Sequence, residues 1–182
     1  MIPPLFRTPN RTIALLYGAI VAQARDARFY QAYRVPDTVL GRFDLIVLHL
    51  ALVLRRLRED AAMRTPAQRV FDAFCRDMDH NLREMGISDQ GVPRQMRRVG
   101  EAFYGRAQAY EVALGESREG ALAQALARNV YAEAPEPQIA ALHLAAYVRA
   151  AVATLDQQPL ADVARGLVRF PEPAAILAPA AE

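Results

Sequence analysis

Residues 71–114 read FDAFCRDMDHNLREMGISDQGVPRQMRRVGEAFYGRAQAYEVAL, and this stretch carries the clearest signals of secondary structure in the chain. It contains two amphipathic segments separated by a corner with glycine and proline. Apolar side chains recur at spacings of three and four in the first segment, so a helix would place them on one face. They are Phe71, Phe74, Met78, Leu82 and Met85. We expect this face to pack into the core, and the whole stretch predicts an αα-hairpin.

The limits of both hairpin helices carry local signals. Thr65 before Pro66 and Gln68 is typical of a capping box, and Gly86 is a typical helix stop. The second helix is predicted from residue 92 to Gly115, and its apolar stripe consists of Val92, Met96, Val99, Phe103, Ala107, Tyr110 and Leu114. Beside that stripe, a strip of small residues would let another helix approach closely; it contains Ala102, Gly105, Ala109 and Ala113.

Length and composition favour one helical domain. The 182 residues are enough for one hydrophobic core, and the 9 glycines and 12 prolines fall mostly between periodic segments. We predict an all-α fold, a single-domain compact helical bundle of about six or seven helices with a central αα-hairpin. The helical domain should span residues 10–168, between an irregular lead of residues 1–9 and a proline- and alanine-rich tail of residues 169–182 that buries little.

Two helices are predicted before the hairpin. The first should run from Asn10 to about Tyr33, where a break at Pro36 follows. The second should be capped by Asp37 or Thr38, because the side-chain oxygen of either residue can accept a hydrogen bond from the first helical turn.

The second of these helices should lie at the centre of the bundle. Residues 45–54 are all apolar except His49, and a helix that is apolar on every side is surrounded by protein. His49 is then expected to be a core histidine with hydrogen-bonded ring nitrogens.

Cys75 is the only cysteine, so the chain can form no internal disulfide, and we expect its side chain to be buried.

Three shorter segments follow the hairpin. An alanine-rich helix should begin at Ser117 and reach about Tyr131, before a break at residues 134–137. The next helix should end before Gln157 and bury one face that consists of Leu142, Ala145, Val148, Val152 and Leu155. A last short helix is predicted within residues 159–167.

No signal peptide or transmembrane span is predicted. Residues 7–24 resemble a signal peptide, but their helical pattern continues without a break to Tyr33. The longest uncharged run of the central helix is well below the roughly 20 residues that cross a bilayer. We therefore expect a cytoplasmic protein and leave open a peripheral attachment to the inner membrane.

Charge is distributed unevenly along the chain. All 22 basic residues are arginines, and they outnumber the acidic residues in the first 60 residues. Acidic residues outnumber arginines after residue 115. A basic half is typical of contact with anionic partners such as RNA or lipid headgroups, although the net charge of +2 is far from that of a nucleic-acid-binding domain. No DNA partner is expected.

One face of the first hairpin helix combines groups that also occur in metal sites. Asp77, His80 and Glu84 lie at spacings of three and four, as in the carboxylate and histidine pairs of metal-binding bundles. A second such helix is missing, because neither His49 nor His143 follows a carboxylate by three residues. We expect no metal, no cofactor and no catalytic residue, and keep a metal-dependent enzyme that uses these three residues as an alternative.

Arg106 lies beside the apolar stripe of the second hairpin helix, between Phe103 and Tyr110. An unpaired guanidinium would be costly at such a position, so we expect a polar partner. The candidate partners across the hairpin are Asp77, Asn81 and Glu84.

Several blocks of the sequence resemble one family. They are YGAIVAQARDARFY at 17–30, VPDTVLGRFDLIVLHLALVLRRL at 35–57, FDAFCRDMDHNLREMGISD at 71–89, VPRQM at 92–96 and EAFYGRAQAYEVAL at 101–114. In this order they closely resemble the ubiquinol-cytochrome c chaperone family. Bacterial members of that family look like relatives of the mitochondrial factors that assist cytochrome b biogenesis. The resemblance extends over about residues 10–150.

The resemblance implies an all-helical assembly factor, not an enzyme. Its partner would be newly made cytochrome b, held near the ribosome or the membrane surface until it enters the ubiquinol-cytochrome c reductase complex. Whether a small partner subunit is required stays open, and an RNA- or ribosome-binding module is the alternative function.

The resemblance also implies which positions bind the client or a partner, or shape the binding surface. On the hairpin these are Asp77, Asp79, Asn81, Arg83, Glu84, Tyr104, Gly105 and Arg106, and before it they are Pro36, Asp37, Arg42 and Asp44. Gly41 and Phe43 match the family as well, and the matching residues Gly86 and Phe103 are expected to be structural.

Overall fold

The structure, a computed structural model, describes residues 10–118 and 120–177. Within these residues it contains only helices and no strand, which confirms the all-α prediction. The helices are α1 (Asn10–Ala24), α2 (Ala27–Gln31), α3 (Val39–Leu57), α4 (Arg64–Glu84), α5 (Val92–Gly115), α6 (Ala121–Asn129), α7 (Pro137–Asp156), α8 (Leu160–Ala164) and α9 (Pro173–Leu177). Because α2, α8 and α9 have 5 residues each, the longer helices build the described bundle. The predicted lead of residues 1–9 lies outside the described residues.

Helix α3 is the centre of the bundle. Its side chains from Leu45 to Leu54 are buried on every side of the helix, and α1, α4, α5, α7 and α8 pack around it. Thr38 caps its start by accepting a hydrogen bond from the Gly41 amide, with 3.1 Å between nitrogen and oxygen. The predicted central position is confirmed, because only a position inside the bundle removes every apolar face of this helix from water.

His49 is the predicted core histidine. It is fully buried, and its Nδ1 lies 2.7 Å from the Leu45 carbonyl oxygen while its Nε2 lies 2.9 Å from the Tyr147 hydroxyl. Both ring nitrogens therefore have hydrogen-bond partners. Burial lowers the pKa of His49 to about 4, so the ring is neutral at physiological pH.

The corner between α4 and α5 is closed by a glycine, as predicted. Gly86 has a left-handed backbone with φ of 82°. The Gly86 amide donates to the Arg83 carbonyl oxygen, and the Ile87 amide donates to the Leu82 carbonyl oxygen. This pair of hydrogen bonds is a Schellman motif, which satisfies the last carbonyl groups of α4. The limits predicted for α5 are confirmed as well.

The start of α4 differs from the prediction. The helix begins at Arg64, so Thr65 lies inside it and does not cap it. A 3₁₀ turn, Ala61–Met63, precedes the helix, and Asp60 caps that turn by accepting a hydrogen bond from the Ala62 amide at 2.8 Å. The chain enters α4 through this turn, and Asp60 therefore takes the capping role that the sequence pattern assigned to Thr65.

The single helix predicted over residues 10–33 is divided in two. Helix α1 ends at Ala24, and Asp26 caps α2 by accepting a hydrogen bond from the Arg28 amide at 2.9 Å. The break turns the chain so that Phe29 and Tyr33 enter the core, where both are fully buried. Periodicity does not show such a break, because the spacing on each side of it is still helical.

The helices after the hairpin differ in part from the prediction. Helix α6 begins after Gly120, which has a left-handed φ of 83°, and not at Ser117. Helix α7 ends before Gln157, as predicted, but Leu142 is 55% exposed. The residues that α7 does bury are Ala140, Ala141, Leu144, Ala145, Tyr147, Val148, Ala151 and Leu155.

The segment after residue 168 packs onto the body of the protein. The Phe170 ring lies 5.3 Å from the His49 ring, and the Tyr33 hydroxyl donates a 2.8 Å hydrogen bond to the Pro173 carbonyl oxygen. The expectation that this segment buries little is therefore wrong for residues 170–177. Its carbonyl groups act as acceptors for buried polar side chains, which keeps the segment on the core. Residues 178–182 of the predicted tail lie outside the described residues.

By length and composition, α7 is the one helix in the described part of the chain that could cross a bilayer. Core helices of soluble proteins have the same properties, and 44% of the most apolar part of α7 is buried inside the protein. The absence of a membrane-spanning segment thus stays a prediction.

Candidate functional site

Asp79 and Arg83, two of the predicted site residues, form a surface network near the hairpin corner. Arg83 Nε lies 2.8 Å from Asp79 Oδ2, and the same arginine also pairs with Asp89 across the corner. His80 and Glu84 form a separate pair with 3.1 Å between Nε2 and Oε1. All of these side chains are exposed, so the pairs add little to stability.

Asp77 contacts α1 and is separate from this network. Its Oδ2 accepts a 2.7 Å hydrogen bond from the Tyr17 hydroxyl, and burial together with the Asp77 carboxylate raises the pKa of Tyr17 above its usual value. The other two residues of the metal-like pattern, His80 and Glu84, pair with each other and not with Asp77. Within residues 10–118 and 120–177, no three side chains of the His, Cys, Asp or Glu type are grouped as a metal ion would require.

A buried ion pair between Asp44 and Arg106 joins α3 to α5. Arg106 Nε lies 2.8 Å from Asp44 Oδ1, and the two side chains are 18% and 2% exposed, respectively. The expectation that Arg106 pairs with Asp77, Asn81 or Glu84 is therefore wrong. Helix α3 packs against α5 at this level and supplies a carboxylate from the core side, which a comparison of the two hairpin helices could not show.

The polar atoms around this pair are incompletely satisfied. The contact does not have the alignment of a good hydrogen bond, and the buried Tyr110 hydroxyl has no hydrogen-bond partner among the described residues. Burial raises the pKa of Asp44 to about 6, against the opposing effect of Arg106. The Arg106 guanidinium also lies 5.7 Å from the centre of the Phe43 ring, a cation–π contact. Arg106 thus connects the buried carboxylate to Phe43.

The turn before α3 is tightly packed. A Cβ atom on Gly41 would lie 2.0 Å from the Pro36 carbonyl oxygen, so only glycine fits at this position. Asp37 and Arg42 form an exposed ion pair across the turn, with 2.7 Å between Oδ1 and Nε. Of the predicted residues in this region, Pro36 therefore packs against the first turn of α3, whereas Asp37 and Arg42 lie on its surface.

An apolar groove opens where the start of α3 meets the hairpin, and we call it the hairpin groove. It encloses about 660 Å³. Its apolar lining consists of Val39, Leu40, Phe43 and Ile46 of α3, Met78 and Leu82 of α4, Met85 directly after α4, and Val99 and Ala102 of α5. Val39, Leu40 and Met85 are 72%, 43% and 61% exposed. A cluster of exposed apolar side chains around one concave surface is typical of a binding site.

The rim of the hairpin groove is polar. It consists of Arg25, Arg42, Asn81, Glu84, Gln95 and Arg98. Three of the predicted site residues, Arg42, Asn81 and Glu84, thus lie at one groove. Asp44 and Arg106 contribute indirectly, because they hold Phe43 in its wall.

Tyr104 and Gly105 lie outside the hairpin groove. Tyr104 is 63% exposed, and its ring centre lies 5.6 Å from that of Phe71. It lines a second groove of about 760 Å³, formed by the end of α3, the beginning of α4 and the second half of α5. Gly105 faces open space, because no atom lies within 4 Å of where its Cβ would be. The structure therefore divides the predicted residues among several surfaces.

The sequence pattern misjudged several residues of the groove. The periodicity places Met85 on the core face, yet Met85 is exposed beside the groove, while Met78 and Leu82 are only partly buried. The sequence pattern does not mark Val39 and Leu40 as site residues. Their position is the one signal that does, since two apolar residues in the first turn after a polar cap have no obvious core to face.

Comparison with known proteins shows what this chain is similar to. The ubiquinol-cytochrome C chaperone family matches residues 31–170. The crystal structure of the Cbp3 homolog from Brucella abortus is 38% identical in sequence, with a TM-score of 0.83 over 92% of this chain and 93% of that chain. A search of the curated proteins finds no match. The chain therefore belongs to the ubiquinol-cytochrome C chaperone family.

Proposed function

We propose that this protein is an assembly chaperone that binds newly made cytochrome b and supports biogenesis of the ubiquinol-cytochrome c reductase complex, complex III. Family membership supports a chaperone role for that complex. The observation that carries the binding function is the open, apolar hairpin groove. A chaperone for an apolar client needs such a surface, and Met78 and Met85 provide side chains that adapt to different shapes.

The proposed function is binding without catalysis. The groove has apolar helical walls and a rim of charged and amide side chains, a composition suited to holding a polypeptide. Arg42, Asn81 and Glu84 would contact the client at the rim. The residues that shape the groove without direct contact would be Pro36, Asp37, Asp44 and Arg106.

The remaining predicted residues are proposed to contact another part of the client or a small partner subunit. Asp79 and Arg83 lie at the hairpin corner, and Asp77 lies against α1. Tyr104 lines the second groove, and Gly105 follows it on α5 and faces open space. Because cytochrome b is a membrane protein, we place the chaperone on the cytoplasmic side of the inner membrane, as a peripheral protein close to the ribosome.

The alternative of an RNA-binding module has less structural support. Arg28, Arg42, Arg55 and Arg56 of the basic N-terminal part each form an ion pair with an acidic side chain of the same chain. Much of the positive charge is thus compensated inside the protein. Strongly salt-dependent binding to RNA would be expected if this alternative were correct.

The groove can be tested with a double substitution, Val39→Asp with Met85→Asp. Both side chains are exposed, so the variant should fold, but two carboxylates would face the apolar client. In a host that makes cytochrome b and lacks its own copy of the chaperone, we expect the cytochrome b that co-purifies to fall by about tenfold or more. Circular dichroism and thermal melting verify the fold of the variant.

The matched control is Ile139→Asp with Leu142→Asp on α7. These side chains are 70% and 55% exposed and lie outside the groove, so cytochrome b recovery and the amount of assembled complex should match those of the unmodified protein. Equal recovery with the groove variant and the control variant would refute the assignment of the groove. Absence of cytochrome b from the unmodified complex would refute the client itself.

A further inference from the structure

The rim of the hairpin groove carries two arginines that form no ion pair with the described part of the chain. Arg25 follows the end of α1, and Arg98 lies on α5. Both are exposed rim residues, and neither forms an ion pair with any residue in the described ranges 10–118 and 120–177. The one side-chain contact of Arg98 in these ranges is a long hydrogen bond of 3.4 Å to Gln95.

The rim holds two further charged residues. Arg42 pairs with Asp37, and the Glu84 carboxylate contacts the imidazole of His80 at 3.1 Å. Histidine counts as neutral at pH 7, so Glu84 is the one acidic group that the rim sets beside its arginines. The groove therefore presents an apolar lining together with two available guanidinium groups. One follows the end of α1 and the other lies on α5, so a ligand in the groove could contact both of them.

The walls of the groove indicate what shape the ligand has. They are built from the sides of α3, α4 and α5, and the described residues contain no strand to which an extended peptide could add. The recognition mode that fits helical walls is an amphipathic helix lying in an apolar groove, with anchors at spacings of three and four.

We propose that the hairpin groove selects an amphipathic helix whose apolar face is bordered by carboxylates, and that Arg25 and Arg98 bind these carboxylates. This inference rests on the proposed function, because it names the class of client segment that the groove accepts. The apolar lining supplies affinity, and the two arginines supply selectivity, because acidic flanks are attracted and basic flanks are repelled.

A helical ligand fits the groove better than an anionic membrane surface does. The apolar lining is concave and includes side chains from the deeper turns, such as Phe43, Ile46 and Val99. A flat bilayer surface would reach the rim but would leave this lining unfilled. A single helix can fill the groove and reach the rim at the same time.

The test uses three synthetic helices of about 18 residues, or about five turns, with one common face of leucine and alanine. Their flanking positions carry glutamate, glutamine or lysine. Fluorescence anisotropy with the purified full-length chain should rank the glutamate helix about five- to tenfold above the glutamine helix, and the lysine helix below both. This preference should weaken as salt is added, because exposed charges are screened.

Charge reversal assigns the preference to its residues. In the variant Arg25→Glu with Arg98→Glu, the ranking should invert, so that the lysine helix binds best. Arg149→Glu on α7 is the matched control, an exposed arginine outside the groove that should leave the ranking unchanged. Circular dichroism should show the same helix content for all three proteins.

Equal binding of the three helices, or a ranking that the double variant leaves unchanged, would overturn the proposal. Loss of binding to phosphatidylglycerol vesicles in the double variant, without any preference among the helices, would also overturn it, in favour of a membrane contact. Because these measurements need no cytochrome b, their failure is distinct from a failure to recover that protein from cells.

Discussion

The ion pair between Asp44 and Arg106 connects the core to the surface at the level of single residues. The carboxylate is buried in α3, and the guanidinium also lies over the Phe43 ring in the wall of the hairpin groove. Removing one partner of a buried pair leaves the other charge without compensation, which is costly. We therefore expect Arg106→Ala to lower stability and to disturb the groove, so its effect on cytochrome b would combine both causes.

The pH dependence of stability should reveal the burial of Asp44. Burial raises the pKa of Asp44 from 3.8 to about 6 in the folded protein, so the folded state holds this proton more tightly than the unfolded state does. The stabilisation linked to Asp44 is then fully present below pH 3.8 and is lost as pH rises through 6. Relative to Asp44→Asn, the unmodified protein should lose on the order of 2 kcal/mol of unfolding free energy between pH 4 and pH 7.

Urea denaturation of both proteins across this range measures the difference. Asp37→Asn is the control of opposite sign, because the hydrogen bond from Arg42 lowers the pKa of Asp37, and its contribution is lost as pH falls. If the unfolding free energies of Asp44→Asn and the unmodified protein changed with pH in parallel, Arg106 would fully offset the free-energy cost of burying the Asp44 carboxylate. If the unmodified protein lost unfolding free energy relative to Asp44→Asn as pH falls, the prediction would be wrong.

The start of α3 is the helical element that sets the geometry of the site. The cap at Thr38 and the close approach of Gly41 to Pro36 fix where this helix begins. Its first turns in turn place Val39, Leu40 and Phe43 in the hairpin groove. On the opposite side, the glycine corner of the hairpin ends α4 beside Met85. The groove is therefore framed by two helix ends.

Two glycine substitutions should have opposite effects on stability. Gly41→Ala would place a Cβ atom 2.0 Å from the Pro36 carbonyl oxygen, so we expect the unfolding free energy to fall by about 2 kcal/mol or more. Gly18→Ala in α1 meets no atom within 4 Å and should raise it by about 0.5–1 kcal/mol, because alanine favours a helix more than glycine does.

Thermal and urea denaturation compare these two variants directly. Gly41→Ala should also weaken the binding of the glutamate-flanked helix, whereas Gly18→Ala should leave it unchanged. Equal stability of the two variants would mean that the turn at Pro36 moves without cost, and the close packing at Gly41 would then have no role.

At the scale of the whole molecule, the C-terminal segment completes the core. Tyr33, His49 and Tyr147 lie together with Phe29 in an aromatic cluster, and Phe170 packs against His49 from the last segment of the chain. Tyr33 depends on the Pro173 carbonyl oxygen for its hydrogen bond. Residues far apart in sequence thus close the bundle around α3.

Phe170→Ala should therefore behave as a core substitution. The side chain is half-buried, and we expect the unfolding free energy to fall by about 2 kcal/mol, less than for a fully buried phenylalanine. Leu167→Ala is the control, because this nearby leucine is 61% exposed and should change stability by less than about 0.5 kcal/mol. Equal melting temperatures for the two variants would mean that residues 170–177 contribute little to the core, as expected of a tail.

The features that depend on neighbours a few residues apart could be predicted from the order of residues alone. The apolar periodicity of residues 71–114 predicted the hairpin, the all-apolar run around His49 predicted the central helix, and Gly86 predicted the corner. The spacing of a helix face, a cap and a left-handed glycine are all local properties, so each leaves a signal in the order of residues.

Which distant residues meet depends on how the helices pack, and it is visible in the folded protein alone. It placed Asp44 beside Arg106, turned Met85 outward to the hairpin groove, and folded Phe170 back onto His49. A charge or an apolar side chain has the same local pattern whether it faces the core, a groove or solvent. The packing of α3 against α4 and α5 determines whether a side chain faces the core, the groove or solvent. Helix packing brings together residues of different helices, whereas periodicity describes one helix at a time.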